Sequence, residues 1–139
     1  MWHNVLMNAA ATNPLAAPFQ FDWKAVERGV PLSALQEFSA YSGLEMKELL
    51  EVVIPPRTLK HRKQRREPLN LDESDRLRRV AKMYELAVRV YGNREDGREW
   101  LTRPKNRFEG KTPLAMLRTE TGADAVQEFL YQIDEGVFA

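Results

Sequence analysis

WLTRPKNRFEGKTPLAML, residues 100–117, gathers turn chemistry and apolar anchors into eighteen residues. Trp100 and Leu101 end a helical period. Pro104 sits where a helix stops, because proline lacks an amide donor and biases Arg103 away from helical angles. Phe108 offers one apolar anchor, and Gly110 suits a turn at positive φ. Thr112-Pro113 predicts a helix start: a hydroxyl acceptor at the N-cap, then a proline already at helical φ. Leu114 and Leu117 give the new helix an apolar side. So many fixed points predict a loop that holds a shape, either as a binding surface or through ordinary loop packing.

The flanks of this stretch are helical. Upstream, Asp72 opens the clearest period in the chain, with Leu77, Val80, Ala81, Tyr84, Ala87, Val88 and Tyr91 recurring at spacings of three and four. Asp72, Glu73 and Asp75 favour its N-terminal dipole, and Gly92 ends it. Asn93 then caps a helix over roughly 94–102, where Gly97 lowers intrinsic helix stability by about 1 kcal/mol relative to alanine. Downstream, Gly122 precedes a last helix with Val126, Phe129, Leu130 and Ile133 on one face, and Gly136 closes it. The chain's last residues, Val137, Phe138 and Ala139, form an apolar end that either folds back on the core or inserts into a partner's cleft.

Before residue 72 the helices are shorter. Met1–Gln20 has no apolar period and is expected to be a mobile arm, disordered or docking on another chain through Trp2, Leu6 or Phe19. Asp22 caps a helix over 23–28 that Gly29 ends in a left-handed conformation. Pro31 opens a second, with Leu32, Leu35 and Phe38 inward and Gly43 near its end. A third covers 46–52. Pro55-Pro56 stops that helix and starts one over about 57–66, because proline is tolerated only in a first turn. Two short helices joined by a tight turn, the second one basic, describe a helix-turn-helix. Glu67–Asn70 is expected to be a linker between residues 21–68 and residues 69–139.

Charge sharpens this division. The formal net charge is only +1, yet Arg57, Lys60, Arg62, Lys63, Arg65 and Arg66 place six cations in ten residues without an acid. Such a cluster suits the phosphates of DNA, with Thr58, His61 and Gln64 as possible base readers; a solvated surface helix would carry the same charges. From residue 70 onward twelve basic residues face thirteen acidic ones, which suggests a different partner for that half.

Composition excludes much else. With 43% apolar and 29% charged residues the chain is globular, and no run approaches membrane-spanning length or resembles a secretion signal, so a cytoplasmic, all-α protein is expected. It has no cysteine and two isolated histidines, so no metal site and no cofactor are expected. No phosphate-binding, dinucleotide or zinc-protease motif occurs, and the paired carboxylates lie at helix ends, so the expectation is a binding protein and not an enzyme.

The second half resembles the toxin-binding domain of the Xre/MbcA/ParS antitoxin family. The residues that carry the likeness are Leu71 with Glu73–Leu77, Ala87, Val90–Gly92, Trp100-Leu101, Pro104, Asn106, Gly110, Pro113-Leu114, Leu117, Thr119, Gly122, Val126, Leu130 and Ile133–Ala139. The first half is similar to the helix-turn-helix of the same family, with Arg57-Thr58-Leu59 in the place of a recurring Thr-Leu step. Two prolines in the turn, Lys105 between Pro104 and Asn106, and Gly97 where alanine is commoner depart from the pattern.

The resemblance implies an antitoxin of a type II toxin–antitoxin system that neutralises a cognate RES-domain toxin, an NAD-consuming enzyme related in fold to ADP-ribosyltransferases. It also implies a homodimer within a larger complex that represses its own promoter. Expected DNA contacts are Arg57, Thr58, Lys60, His61, Arg62, Lys63, Arg65 and Arg66. Expected toxin contacts are Trp100, Arg103, Lys105, Asn106, Arg107, Phe108, Gly110, Gly136, Val137, Phe138 and Ala139. The alternative is a free-standing transcriptional regulator whose second half serves dimerisation. A third reading keeps the toxin partner and uses the helix-turn-helix only for dimerisation.

Overall fold

A computed structural model describes Phe19 and residues 21–136, and within these residues the protein is helical with no strand. Helices α1 (Trp23–Arg28), α2 (Ser33–Ser42), α3 (Met46–Val53) and α4 (Pro56–Arg65) form the first half. Helices α5 (Leu71–Tyr91), α6 (Arg94–Thr102), α7 (Pro113–Met116) and α8 (Glu120–Asp134) form the second, with a 3-10 turn at Asn106–Phe108.

Local chemistry explains most of these limits. The Asp22 carboxylate accepts the Ala25 amide and starts α1. Gly29 ends it at positive φ but, against expectation, outside the left-handed helical region, at φ 93° and ψ 118°. Helix α2 begins two residues after Pro31, and Gly43 takes the left-handed cap at φ 78°. Pro55 is the N-cap of α4 and Pro56 its first residue, so the double proline both ends and begins a helix as its chemistry requires. At α5 the cap is Asn70, in a reciprocal box with Glu73.

Two glycines serve packing. Gly97 is buried where α6 crosses α5, and a Cβ there would lie 2.9 Å from the Val88 nitrogen. The expected weakness in α6 is therefore the condition for close approach. Gly122 does not precede α8 but lies in its first turn, capped by Thr119, and a Cβ there would come within 1.9 Å of the Met116 carbonyl oxygen.

Helix α5 is the spine. It packs against α1, α2 and α3 on one side and α6 and α8 on the other, so both halves share one core. Leu77, Val80, Ala81, Tyr84 and Ala87 are all buried along it, as the period predicts. The expected linker is pinned at both ends. Leu69 is 1% exposed, its amide donates to the Val30 carbonyl at 3.0 Å, and the Val30 amide donates to the buried Ser74 hydroxyl at 2.9 Å. Phe19, expected in the arm, instead packs on Phe21, Phe38 and Tyr41 in the protein's own core. Trp2, Leu6 and Val137–Ala139 lie outside the described residues.

A second seam ties the halves together. The Tyr41 hydroxyl of α2 donates to Glu85 of α5 at 2.7 Å, and the Arg94 guanidinium of α6 lies 4.2 Å above the Tyr41 ring. Tyr84 meets Phe38 and Tyr41 edge-on, its hydroxyl buried without a hydrogen-bond partner among the described residues. Burial raises both phenol pKa values, and at Tyr41 the bond to Glu85 raises it further.

Candidate functional site

Two surfaces carry the residues singled out from sequence. The first is α4. Its one buried residue is Leu59, which anchors the helix against the core. On the other sides Arg57, Lys60, His61, Lys63, Gln64, Arg65 and Arg66 are exposed, and Thr58 is half-buried. The helix therefore presents a cationic face with a few neutral polar side chains in it. Arg66 adopts a left-handed backbone at φ 55° as the C-cap.

Arg62 departs from this pattern. Its guanidinium forks onto Glu73 of α5, at 2.5 Å to one carboxylate oxygen and 3.2 Å to the other, and also reaches the Pro68 carbonyl at 3.4 Å. A guanidinium spent on a buried carboxylate has few donors left for a phosphate. Within the described residues Arg62 serves as a tie between α4 and α5. The three-residue spacing of Glu73 from Asn70 is a local signal for the capping box, but no local pattern links Glu73 to Arg62.

The second surface is the loop from Arg103 to Lys111. It closes on itself, because the Lys105 amide donates to the Lys111 carbonyl at 3.1 Å while the Lys105 carbonyl accepts from Phe108 and Gly110, each at 3.0 Å. Gly110 has φ 86°, as a turn needs, and the Thr112 hydroxyl accepts the Ala115 amide at 3.0 Å to start α7.

Trp100 and Phe108 are 8% and 6% exposed, and both meet Phe129 of α8 edge-on. They hold the loop from beneath. The loop displays outward Arg103, Asn106, Arg107 and Gly110, along with Pro104, Glu109 and Lys111, and Lys105 is half-buried. Arg103 pairs with Glu99. Arg107 lies 4.1 Å above the Phe129 ring and donates to Gln132 at 2.7 Å. The Lys105 ammonium lies 5.1 Å from the Trp100 ring, and burial lowers its pKa, aided by the nearby Arg103 charge.

A shallow groove separates Arg107, Glu109 and Lys111 of the loop from Met116, Ala125 and Glu128. Gly136, exposed at φ 73°, follows α8 in the same half. Among the described residues no group of three or more metal-ligating side chains is assembled, and no helix is long and apolar enough to cross a membrane.

These features define a two-part helical binding protein: a helix-turn-helix with a basic second helix, joined through one spine to a helical unit with a structured cationic loop. Comparison with known proteins is consistent along the chain. Residues 24–82 match the antitoxin Xre-like helix-turn-helix domain, and residues 86–136 match the antitoxin Xre/MbcA/ParS C-terminal toxin-binding domain. The chain belongs to the Xre/MbcA/ParS antitoxin family. It is 49% identical over 84 residues to an Antitoxin Xre of Pseudomonas putida, across 60% of this chain and 53% of the relative, so the match spans about half of that protein. It is 25% identical over 118 residues to an Antitoxin Xre of Yersinia enterocolitica, covering 83% of this chain and 79% of the relative. A third Antitoxin Xre, from Photorhabdus laumondii, is 25% identical over 114 residues, 81% of this chain and 77% of the relative. The first match ends at residue 82 and the second begins at residue 86, both within α5.

Proposed function

We propose that this chain is the antitoxin of a type II toxin–antitoxin pair, which neutralises a protein toxin through residues 69–139 and binds operator DNA through residues 21–68. The observation that carries this reading is the joining of a toxin-binding domain match to a helix-turn-helix match in one chain, on a shared helical spine. The toxin we assign is of the RES-domain class, which consumes NAD, and inhibition consists of covering its active site. The antitoxin supplies no catalytic step and needs no cofactor.

The loop side chains Arg103, Lys105, Asn106, Arg107 and Gly110, together with Gly136 and the Val137–Ala139 tail, are the contacts we assign to the toxin. Trp100 and Phe108 hold that loop in shape. On the DNA side Arg57, Thr58, Lys60, His61, Lys63, Arg65 and Arg66 remain as contacts. One such helix offers too few contacts for useful specificity, so the DNA-bound form is a homodimer placing two basic helices in successive major grooves. The complex acts in the cytoplasm and represses its own operon.

Co-expression tests this reading. The reading predicts that the protein encoded beside this gene arrests growth when expressed alone and that this chain restores growth when supplied with it. No toxicity in the neighbour, or toxicity that this chain leaves unchanged, would move the assignment to a free-standing regulator.

A further inference from the structure

Glu73 is the most heavily used carboxylate at the joint between the two halves. Its side chain is 5% exposed, and it accepts the Asn70 amide at 2.8 Å as well as both Arg62 nitrogens. One helical turn further, Arg76 donates its Nε to the Val53 carbonyl at 3.1 Å. Val53 is the last residue of α3, and Arg62 lies in the last turn of α4. Two neighbouring side chains at the start of α5 thus hold one end of each helix in the helix-turn-helix.

Helix α4 has little other hold on the core, because Leu59 is its only buried residue. One apolar anchor fixes depth but leaves rotation and tilt free. A planar guanidinium forked on a carboxylate sets both.

We infer that Glu73 and Arg76 are positioning residues for DNA reading, and that Arg62 acts with them as a clamp on the basic helix and not as a phosphate contact. The inference rests on the DNA-binding reading above. It also places the clamp on α5, the helix that packs against the toxin-binding half, so the DNA-reading helix is referenced to the spine that both halves share.

The test uses the full chain in a fluorescence titration against a duplex covering the promoter of its own gene and a scrambled duplex of equal length, at several salt concentrations. On charge alone, Glu73→Gln should tighten binding to a polyanion, since it removes a negative charge beside a basic helix. The clamp predicts the opposite sign: affinity for the promoter duplex falls by roughly tenfold, the scale of one lost base contact, while binding to the scrambled duplex is kept. Loss of folding alone would lower both in parallel, and the unfolding midpoint of each variant is read alongside.

Arg62→Lys is the second variant. A lysine serves a phosphate contact nearly as well as arginine but cannot reproduce the fork, so the clamp predicts that it loses promoter affinity as Glu73→Gln does. Glu73→Gln binding as tightly as the parent, or Arg62→Lys behaving as the parent, would overturn the clamp. Failure of the parent chain to prefer the promoter duplex would instead overturn the DNA reading, and the clamp with it.

Discussion

At the scale of single residues, the close-packed glycine Gly97 and the packed aromatics give the sharpest predictions. Ala in place of Gly97 would gain about 1 kcal/mol of helix propensity, but its Cβ would press on backbone atoms at 2.9–3.1 Å that cannot rotate away. Overpacking of that kind costs about 1–3 kcal/mol, so Gly97→Ala should lower stability in a denaturant melt. A melt equal to or above the parent's would mean that α5 and α6 can separate without penalty. Trp100→Ala should cost about 3–5 kcal/mol, as expected for a buried aromatic, and its effect on toxin binding should follow from that loss. An unchanged melt with abolished binding would return Trp100 to the contact surface. The phenols of half-buried Tyr41 and buried Tyr84 predict an alkaline limit. Their folded pKa values lie above the ordinary 10.0, so the unfolded chain ionises first; the stability they contribute is full below pH 10.0 and falls as pH rises past it. Tyr41→Phe should flatten that decline.

At the scale of elements, the basic helix and the loop separate cleanly. Lys63 and Arg65 are exposed, so replacing both with alanine should reduce the salt slope of DNA binding by about 2 and leave toxin neutralisation intact. An unchanged slope would move the phosphate contacts off α4. How much of these elements was legible in the sequence follows from the range of the forces involved. The double proline, the Gly110 turn and the Thr112 cap act within four residues, and all stand where the sequence places them. The period of α5 was equally legible, because a face of seven apolar residues repeats the geometry of a helix. What the sequence concealed lies across space. Arg62 and Glu73 are eleven residues apart, Leu69 and Val30 thirty-nine, and Phe108 meets Phe129 across a loop and a helix. In each case a residue type that suits a surface, or a linker, was claimed by the interior. Burial of Trp100 and Phe108 was hidden for the same reason, since an anchor and a contact look alike in a list of apolar residues.

At the scale of the molecule, α5 makes one body of two binding functions. The first half does not close its core alone: α1, α2 and α3 pack on one flank of α5, while α6 and α8 pack on the other. The helix-turn-helix without α5 should therefore fail to fold, and a fragment ending at residue 68 should give no cooperative melt. A cooperative melt would show two independent domains. The claim that matters most is inhibition, and it is tested by purifying the chain with the protein encoded beside it and following NAD consumption by that partner as antitoxin is titrated in. The account predicts a stable complex in which NAD loss stops once the antitoxin saturates the enzyme. Undiminished NAD consumption by a partner held in the complex, or no complex at all, would contradict it.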